Sequence, residues 1–305
     1  MQKITPCLWF DNQAEEAVNF YLSAFGKSKI ISSSRYDETA AKTSGQPAGS
    51  VMTMIFELND MRFMALNGGP HFKFNPSVSF FVNFDPSRDQ KAKESLDNLW
   101  DKLADGGKVL MALDSYPFSK RYGWIQDKYG LSWQLILSDP GGDERPVIVP
   151  SLLFVKSVCG LAEEATDYYL SLFKDSKRGI TARYPAGMES DKEGTIMYTD
   201  LMIENLWLAA MDSAGEHNFA FNEAVSFVVN CDTQEEIDYY WDNLTSSGGQ
   251  ESMCGWLKDK YGISWQIVPS MLGKLMSGTD AAKSKRVMQT LMQMKKIVIE
   301  TLKKA

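Results

Sequence analysis

The chain is predicted to be an α+β protein of two tandem domains, each made of two β-α-β-β-β units, with a helical tail at the C-terminus. Three observations carry this reading. A length of 305 residues suits about two domains of ~100–200 residues each. Three blocks of sequence occur twice, in the same order. Strand-like and helix-like stretches follow one another in the same pattern around each copy.

Ala14-Glu15-Glu16-Ala17 with Tyr21-Leu22-Ser23 and Phe25 returns as Ala162-Glu163-Glu164-Ala165 with Tyr169-Leu170-Ser171 and Phe173. Phe74-Asn75 with Val78-Ser79-Phe80 returns as Phe221-Asn222 with Val225-Ser226-Phe227. Gly123-Trp124 through Ser132-Trp133-Gln134 returns as Gly255-Trp256 through Ser264-Trp265-Gln266. The first block is displaced by 148 positions, the second by 147 and the third by 132. The second copy has therefore lost about fifteen residues before its Gly-Trp block, as the difference of 147 and 132 shows. The loss falls opposite Lys108 to Tyr122, which predicts a long hairpin tipped by Tyr116-Pro117-Phe118 in the first copy and a clipped one in the second.

Ile4 to Phe10 alternates as a strand. Ala17, Phe20, Tyr21 and Ala24 fall on one face of a helix over Ala14 to Phe25, which stops at Gly26. Lys29 to Tyr36, Val51 to Leu58 and Met61 to Leu66 are strand-like, and Asn59-Asp60 makes the hairpin turn between the last two. The second unit has a strand over Val78 to Phe84, a helix over Lys91 to Ala104, and strands over Val109 to Leu113, Arg121 to Gln126 and Ser132 to Leu137. The predicted boundaries are domain 1 at 1–139, a linker at 140–147, domain 2 at 148–270 and a basic helical tail at 271–305. In the tail, Asp280 is the expected N-cap, and Val287, Leu291 and Met294 mark an apolar stripe. The expected role of this tail is a terminal helix packed on the domain pair or on a second copy.

The formal charge of −7 argues against nucleic-acid binding as the main task. The charge is uneven: from Gly273 onward eight Lys or Arg face Asp280 and Glu300, so the tail is +6 and the rest −13. Cys7, Cys159, Cys231 and Cys254 form no CxxC pair, as expected of a reducing, cytoplasmic setting. No run reaches the ~20 apolar residues of a membrane span.

The motifs point to a family. Ile4-Thr5-Pro6-Cys7-Leu8-Trp9-Phe10, the Ala-Glu-Glu-Ala helix, Asn67-Gly68-Gly69-Pro70-His71-Phe72-Lys73-Phe74-Asn75 and the two Gly-Trp…Ser-Trp-Gln blocks resemble a tandem PhnB-like protein of the vicinal-oxygen-chelate superfamily. That superfamily includes glyoxalase I, bleomycin-resistance proteins and extradiol dioxygenases. The resemblance spans about residues 1 to 270. It implies tandem glyoxalase-like domains in which paired β-α-β-β-β units curl into an open barrel. Members of this group often carry the label 3-demethylubiquinone-9 3-methyltransferase. The residues do not support methyl transfer from S-adenosylmethionine, because no glycine-rich turn leads from a strand into a helix.

The resemblance also implies where metal ligands would stand. The last-strand positions hold Gln134 and Gln266, the first-strand positions Thr5 and Val149, and the second unit's first strand Ser79 and Ser226. The fourth strand offers Met64, Ala65 and Leu66, or Leu208, Ala209 and Ala210. Such sets are poor in charged donors, so no cofactor is expected; a divalent metal through Gln134 is the alternative.

Strand alternation places Thr5, Cys7, Trp9, Ser79, Phe81 and Gln134 on cavity-facing sides. They are the candidate ligand pocket of domain 1, with Ser226 and Gln266 as a weaker pocket in domain 2. Val78, Phe80, Val82 and Trp133 take the helix-facing side. Aromatics with a few neutral polar groups suit an apolar or aromatic small molecule. No residue is assigned a catalytic role: His71 and His217 are loop histidines, Glu15-Glu16 and Glu163-Glu164 favour a helix start, and Asp127-Lys128-Tyr129-Gly130 is a turn. The expected function is small-molecule binding, with the two halves forming an intrachain pseudo-dimer and a homodimer left open. The alternatives are a metal-dependent glyoxalase or isomerase, and a structural module with filled barrels.

Overall fold

The computed structural model describes residues 2–139, 144–276 and 281–305. The first repeat runs β1 (Ile4–Phe10), α1 (Ala14–Ala24), β2 (Ser28–Arg35), α2 (Glu38–Ser44), β3 (Val51–Leu58) and β4 (Met61–Asn67). It continues with β5 (Val78–Phe84), α3 (Ala92–Ala104), β6 (Lys108–Tyr116), β7 (Ser119–Gln126) and β8 (Ser132–Leu137). The second repeat runs β9 (Ile148–Phe154), α4 (Ala162–Leu172), β10 (Lys177–Arg183), β11 (Ile196–Ile203) and β12 (Leu206–Asp212). Then come β13 (Val225–Cys231), α5 (Gln234–Thr245), β14 (Gln250–Glu251), β15 (Trp256–Lys258) and β16 (Ser264–Pro269). The tail holds α6 (Leu272–Met276), α7 (Ala281–Leu291) and α8 (Ile299–Lys304).

The α+β class and the tandem β-α-β-β-β units are as the sequence predicts; α2 is an addition. Asn59 and Asp60 both have positive φ (44° and 67°), as a tight two-residue hairpin needs. Their counterparts Glu204 and Asn205 do the same at 46° and 63°.

The way the units join differs from the expectation. The strands form two eight-stranded sheets, ordered β14-β15-β16-β13-β1-β4-β3-β2 and β10-β11-β12-β9-β5-β8-β7-β6. Each sheet takes one unit from each repeat. β1 pairs antiparallel with β13, and β5 with β9. Within a repeat, the two units meet through their helix-facing sides instead. Phe63 of β4 touches Phe80 of β5 (ring centroids 5.3 Å), and Tyr21 of α1 touches Trp133 of β8 (5.6 Å). The opposite, concave faces therefore open between the repeats.

The recurring Phe-Asn blocks stitch this junction. Asn75 Nδ2 donates to the carbonyl of Ala220 (3.0 Å), and Asn222 Nδ2 donates to that of Lys73 (2.9 Å). The Asp-x-x-Gly turns hold the two units of a repeat together. Asp127 is buried and accepts from Tyr21 Oη, Trp133 Nε1 and the backbone N–H groups of Tyr129 and Leu131 at 2.8–3.1 Å. Asp259 does the same with Tyr169, Trp265, Tyr261 and Ile263. Burial pushes both carboxyls up, and the hydrogen bonds they accept pull them back.

The long and clipped hairpins are present: β6 and β7 have nine and eight residues, β14 and β15 two and three. The tail stands where the clipped hairpin falls short. Cys254 N–H donates to Met294 O (2.7 Å) and Gly255 N–H to Lys295 O (2.9 Å). Val287, Leu291, Ile297 and Leu302 form a buried cluster against Cys254 and Val268. The expected packed terminal helix is thus three short helices, and Met294 lies past the end of α7. The Asp280 cap and part of the predicted linker fall outside the described residues. No described helix is long and apolar enough to cross a membrane.

Candidate ligand-binding site

The six residues grouped as one pocket divide between the two sheets. Thr5, Cys7 and Trp9 line the concave face of the first sheet, together with Ser226 and Gln266. Ser79, Phe81 and Gln134 line that of the second, together with residues of β9 and β12. The cause is the edge pairing: β1 lies beside β13, and β5 beside β9. No reading of one repeat by itself reveals which edges meet.

Across the second sheet, Ala209, Ser151, Ser79 and Ser132 stand side by side on β12, β9, β5 and β8. This floor of small side chains is bounded by Phe81, Tyr122 and Val149, all buried, and by Met111, Tyr116, Trp124, Ile136, Tyr198, Trp207 and Met211, which are partly exposed. Tyr122 Oη donates to Gln134 Oε1 (2.6 Å), and Gln134 Nε2 donates to Ser79 Oγ (2.7 Å). Trp124 Nε1 donates to Ser132 Oγ (2.7 Å). Burial pushes the phenols of Tyr122 and Tyr198 well up, so both are protonated donors.

One feature departs from the neutral lining expected. Asp200, directly opposite Ala209 and 2% exposed, accepts from Arg145 Nε at 2.6 Å. The Arg145 guanidinium lies 3.9 Å above the Trp207 ring. Arg145 comes from the predicted linker, and this ion pair closes one end of the concave face. A cleft of about 670 Å³ lies beyond that end, lined in part by Asn83, Ile136, Tyr198 and Asp200. It adjoins the rim and does not reach the Ser79–Gln134 floor.

The first sheet's face is covered by a different set of side chains. Its corresponding row is Met64, Cys7, Ser226 and Ser264. Trp9 packs edge-on against Phe72 (5.1 Å) and Trp256 (5.9 Å), and its Nε1 donates to Gly69 O at 2.8 Å. Gly68 makes room for this, since a Cβ there would lie 2.1 Å from the Trp9 ring. The Asn67–Asn75 motif thus works as a cover. Gln266 Nε2 donates to Ser226 Oγ (2.9 Å), and the Cys7 thiol lies within reach of both.

Burial pushes the Cys7 thiol up to about 11 and that of Cys231 up to about 12. At pH 7.5 a thiol reagent is expected to modify the partly exposed Cys159 and Cys254 first, and Cys7 and Cys231 only as the chain unfolds. Time-resolved mass spectrometry reads this directly; equal rates for Cys7 and Cys159 would contradict it.

The remaining candidates sit in ion pairs and loops. Arg35 pairs with Glu15 at 2.9 Å, and Arg183 with Glu163. His71 is exposed on the loop, and His217 Nε2 shares a 2.8 Å hydrogen bond with Ser213 Oγ. A divalent cation fits neither concave face. Gln134 and Gln266 are neutral donors already engaged by their neighbours, and the fourth-strand positions beside Ser151 and Cys7 are Ala209 and Met64. Among the described residues, no three His, Cys, Asp or Glu side chains cluster as a metal site.

Two open, curled sheets assembled from four β-α-β-β-β units define a vicinal-oxygen-chelate protein. The chain matches the family model for 3-demethylubiquinone-9 3-methyltransferase over residues 2–136 and 146–268, and it belongs to that family. A Bacillus cereus PhnB protein carrying the same family description is 44% identical, covering 45% of this chain and 100% of its own, with a TM-score of 0.40. Glyoxalase I from Zea mays is 13% identical, covering 88% of this chain and 92% of its own, with a TM-score of 0.52. That likeness concerns the fold alone. No curated protein matches the chain.

Proposed function

We propose that the chain binds a small, flat, apolar or aromatic molecule on the concave face of the second sheet, without a central metal and without a catalytic step. One observation carries this reading: a partly exposed wall of Trp124, Tyr198, Tyr116, Met111 and Met211 stands over a floor of small side chains. Exposed aromatic surface in a concavity favours an apolar ligand. The first sheet, with Met64 in its floor and Trp9, Trp256 and Phe72 over it, is its structural mate. Methyl transfer from S-adenosylmethionine is not part of this proposal. The parallel strand pairs here, β1–β4, β5–β8, β9–β12 and β13–β16, are separated by antiparallel neighbours, not run together in a doubly wound sheet.

The test is a thermal-shift screen with flat aromatic compounds. A ligand held at a hundred times its Kd adds about 2.7 kcal/mol, and the melting temperature should rise accordingly. Trp124→Ala should abolish the shift, and Trp9→Ala should leave it. If no compound shifts the melting temperature, the second reading takes over: a structural module with filled sheets. The near-complete burial of Gln134 and Ser79, both 1% exposed, favours that reading.

A further inference from the structure

The second sheet's floor has an open hydrogen-bond valence. Ser151 Oγ is one of three buried side-chain polar atoms without a hydrogen-bond partner among the described residues, beside Arg62 Nε and Ser264 Oγ. Such groups are few in native proteins, and each calls for a cause. Ser151 is 1% exposed and, by strand alternation, shares the concave side with Val149, which packs in the Phe81–Tyr122 cluster. It stands directly opposite Ser79.

The direction of the neighbouring network matters. Tyr122 donates to Gln134, and Gln134 donates to Ser79. Ser79 Oγ therefore accepts, and its own proton is left to give. Gln266 takes the same orientation toward Ser226 in the other sheet, where residue 254 is a cysteine in place of Tyr122. The twin of Ser151 is Cys7, whose thiol is within reach of Gln266 and Ser226. At this position the first sheet has a bonded thiol and the second a free hydroxyl; the first sheet's own free hydroxyl, Ser264 Oγ, lies two strands away in its row, beyond Ser226. Ala209, where the first sheet has Met64, leaves room beside it.

We infer that Ser151 and Ser79 form a paired hydroxyl donor that seats a neutral oxygen acceptor, such as a ketone carbonyl, of the aromatic ligand. This rests on the ligand site proposed above. A neutral acceptor fits because the charged groups at this row, Asp200 and Arg145, are paired with each other. Ser151 then sets specificity by choosing among flat aromatics those with a carbonyl on the buried edge.

The test compares 1-acetonaphthone with 1-ethylnaphthalene, which has nearly the same shape and lacks the oxygen, by equilibrium dialysis against the full chain. The wild type should hold the ketone about fivefold tighter, the ratio one typical hydrogen bond supplies. Ser151→Ala and Ser79→Ala should bring the ketone down to the hydrocarbon's affinity and leave the hydrocarbon unmoved. Ser151→Cys, which copies the first sheet, should lose the preference as well while keeping a side chain the fold already carries at the twin position. Equal binding of both probes to the wild type overturns the inference and leaves the ligand site standing. So does a Ser151→Ala chain that keeps the preference, the result expected if the hydroxyl serves only a buried water. If neither probe binds, the ligand-site reading itself fails and the inference falls with it.

Discussion

Asp127→Ala is expected to destabilise the protein by about 3–5 kcal/mol, in the range for removing one partner from a fully engaged buried charged group. The alanine leaves four donors without an acceptor: Tyr21 Oη, Trp133 Nε1 and the N–H groups of Tyr129 and Leu131. Tyr21 belongs to α1, which packs on the first sheet, and Trp133 to β8 in the second, so the lost carboxylate also ties the two sheets together. A melting temperature lower by on the order of 10 °C follows. Asp127→Asn should recover part of the loss. Its oxygen still serves the two backbone donors, but its amide turns N–H groups toward Tyr21 and Trp133, which are themselves donors. Asp259→Ala should cost a similar amount, through Tyr169 and Trp265. Chemical denaturation of the four proteins checks this; an Asp127→Ala chain within 1 kcal/mol of the wild type, about a fivefold change in the folding equilibrium, would sink the account.

The same aspartates show what was legible in the sequence. Their recurrence marked a turn, and Gly130 and Gly262 do sit at φ 88° and 89° in it. Periodicity finds strands and turns because they are local. It assigned Val78, Phe80, Val82 and Trp133 to the helix side and Ser79, Phe81 and Gln134 to the concave side, and the clusters of buried residues divide along the same line. The hub role of Asp127 needs Tyr21, 106 positions away, and no local pattern carries that.

Ser151 was hidden for a related reason. β9 is buried along its whole length, so its own sequence shows no polar face, and only its match to β1, Ser151 against Cys7, places it on the concave side. Its cross-strand neighbour Ser79 lies across an edge between repeats. Arg145 gave no signal either: a linker arginine ordinarily points to solvent, and its partner Asp200 sits in what reads as an ordinary strand. The blocks that repeat most faithfully specify the junctions and hubs. The differences between copies, Ser151 against Cys7, Ala209 against Met64 and Tyr122 against Cys254, are what distinguish the two concave faces.

Ending the chain after Gln293 is expected to uncover one end of the first sheet. The residues beyond this point hold the acceptors for the N–H groups of Cys254 and Gly255. They also pair with Gln234, which donates to Ile297 O at 3.1 Å and accepts from the N–H of Ile299 at 2.8 Å. Lys296 reaches Asp242 at 2.6 Å and Asp238 at 3.3 Å, so part of the tail's positive charge is met by acids on α5. Ion pairs this exposed add little; the burial of apolar side chains contributes more. Ile297 and Leu302 are fully buried, and truncating one such side chain to alanine already costs about 2–5 kcal/mol. Losing both, with Val287 and Leu291 left uncovered, should lower the stability by at least about 4 kcal/mol on the same scale. The freed edge at Cys254–Gly255 offers unpaired backbone groups to other chains, so the truncated protein should also self-associate. Cys254 reports the change independently of the melt: its modification by a thiol reagent should speed up severalfold, while Cys159, remote from the tail cluster, keeps its rate. Ile297→Ala should shift both readouts in the same direction by a smaller amount. A truncated chain that melts like the wild type, with Cys254 no more reactive, would make the tail an appendage and leave the clipped hairpin without a substitute.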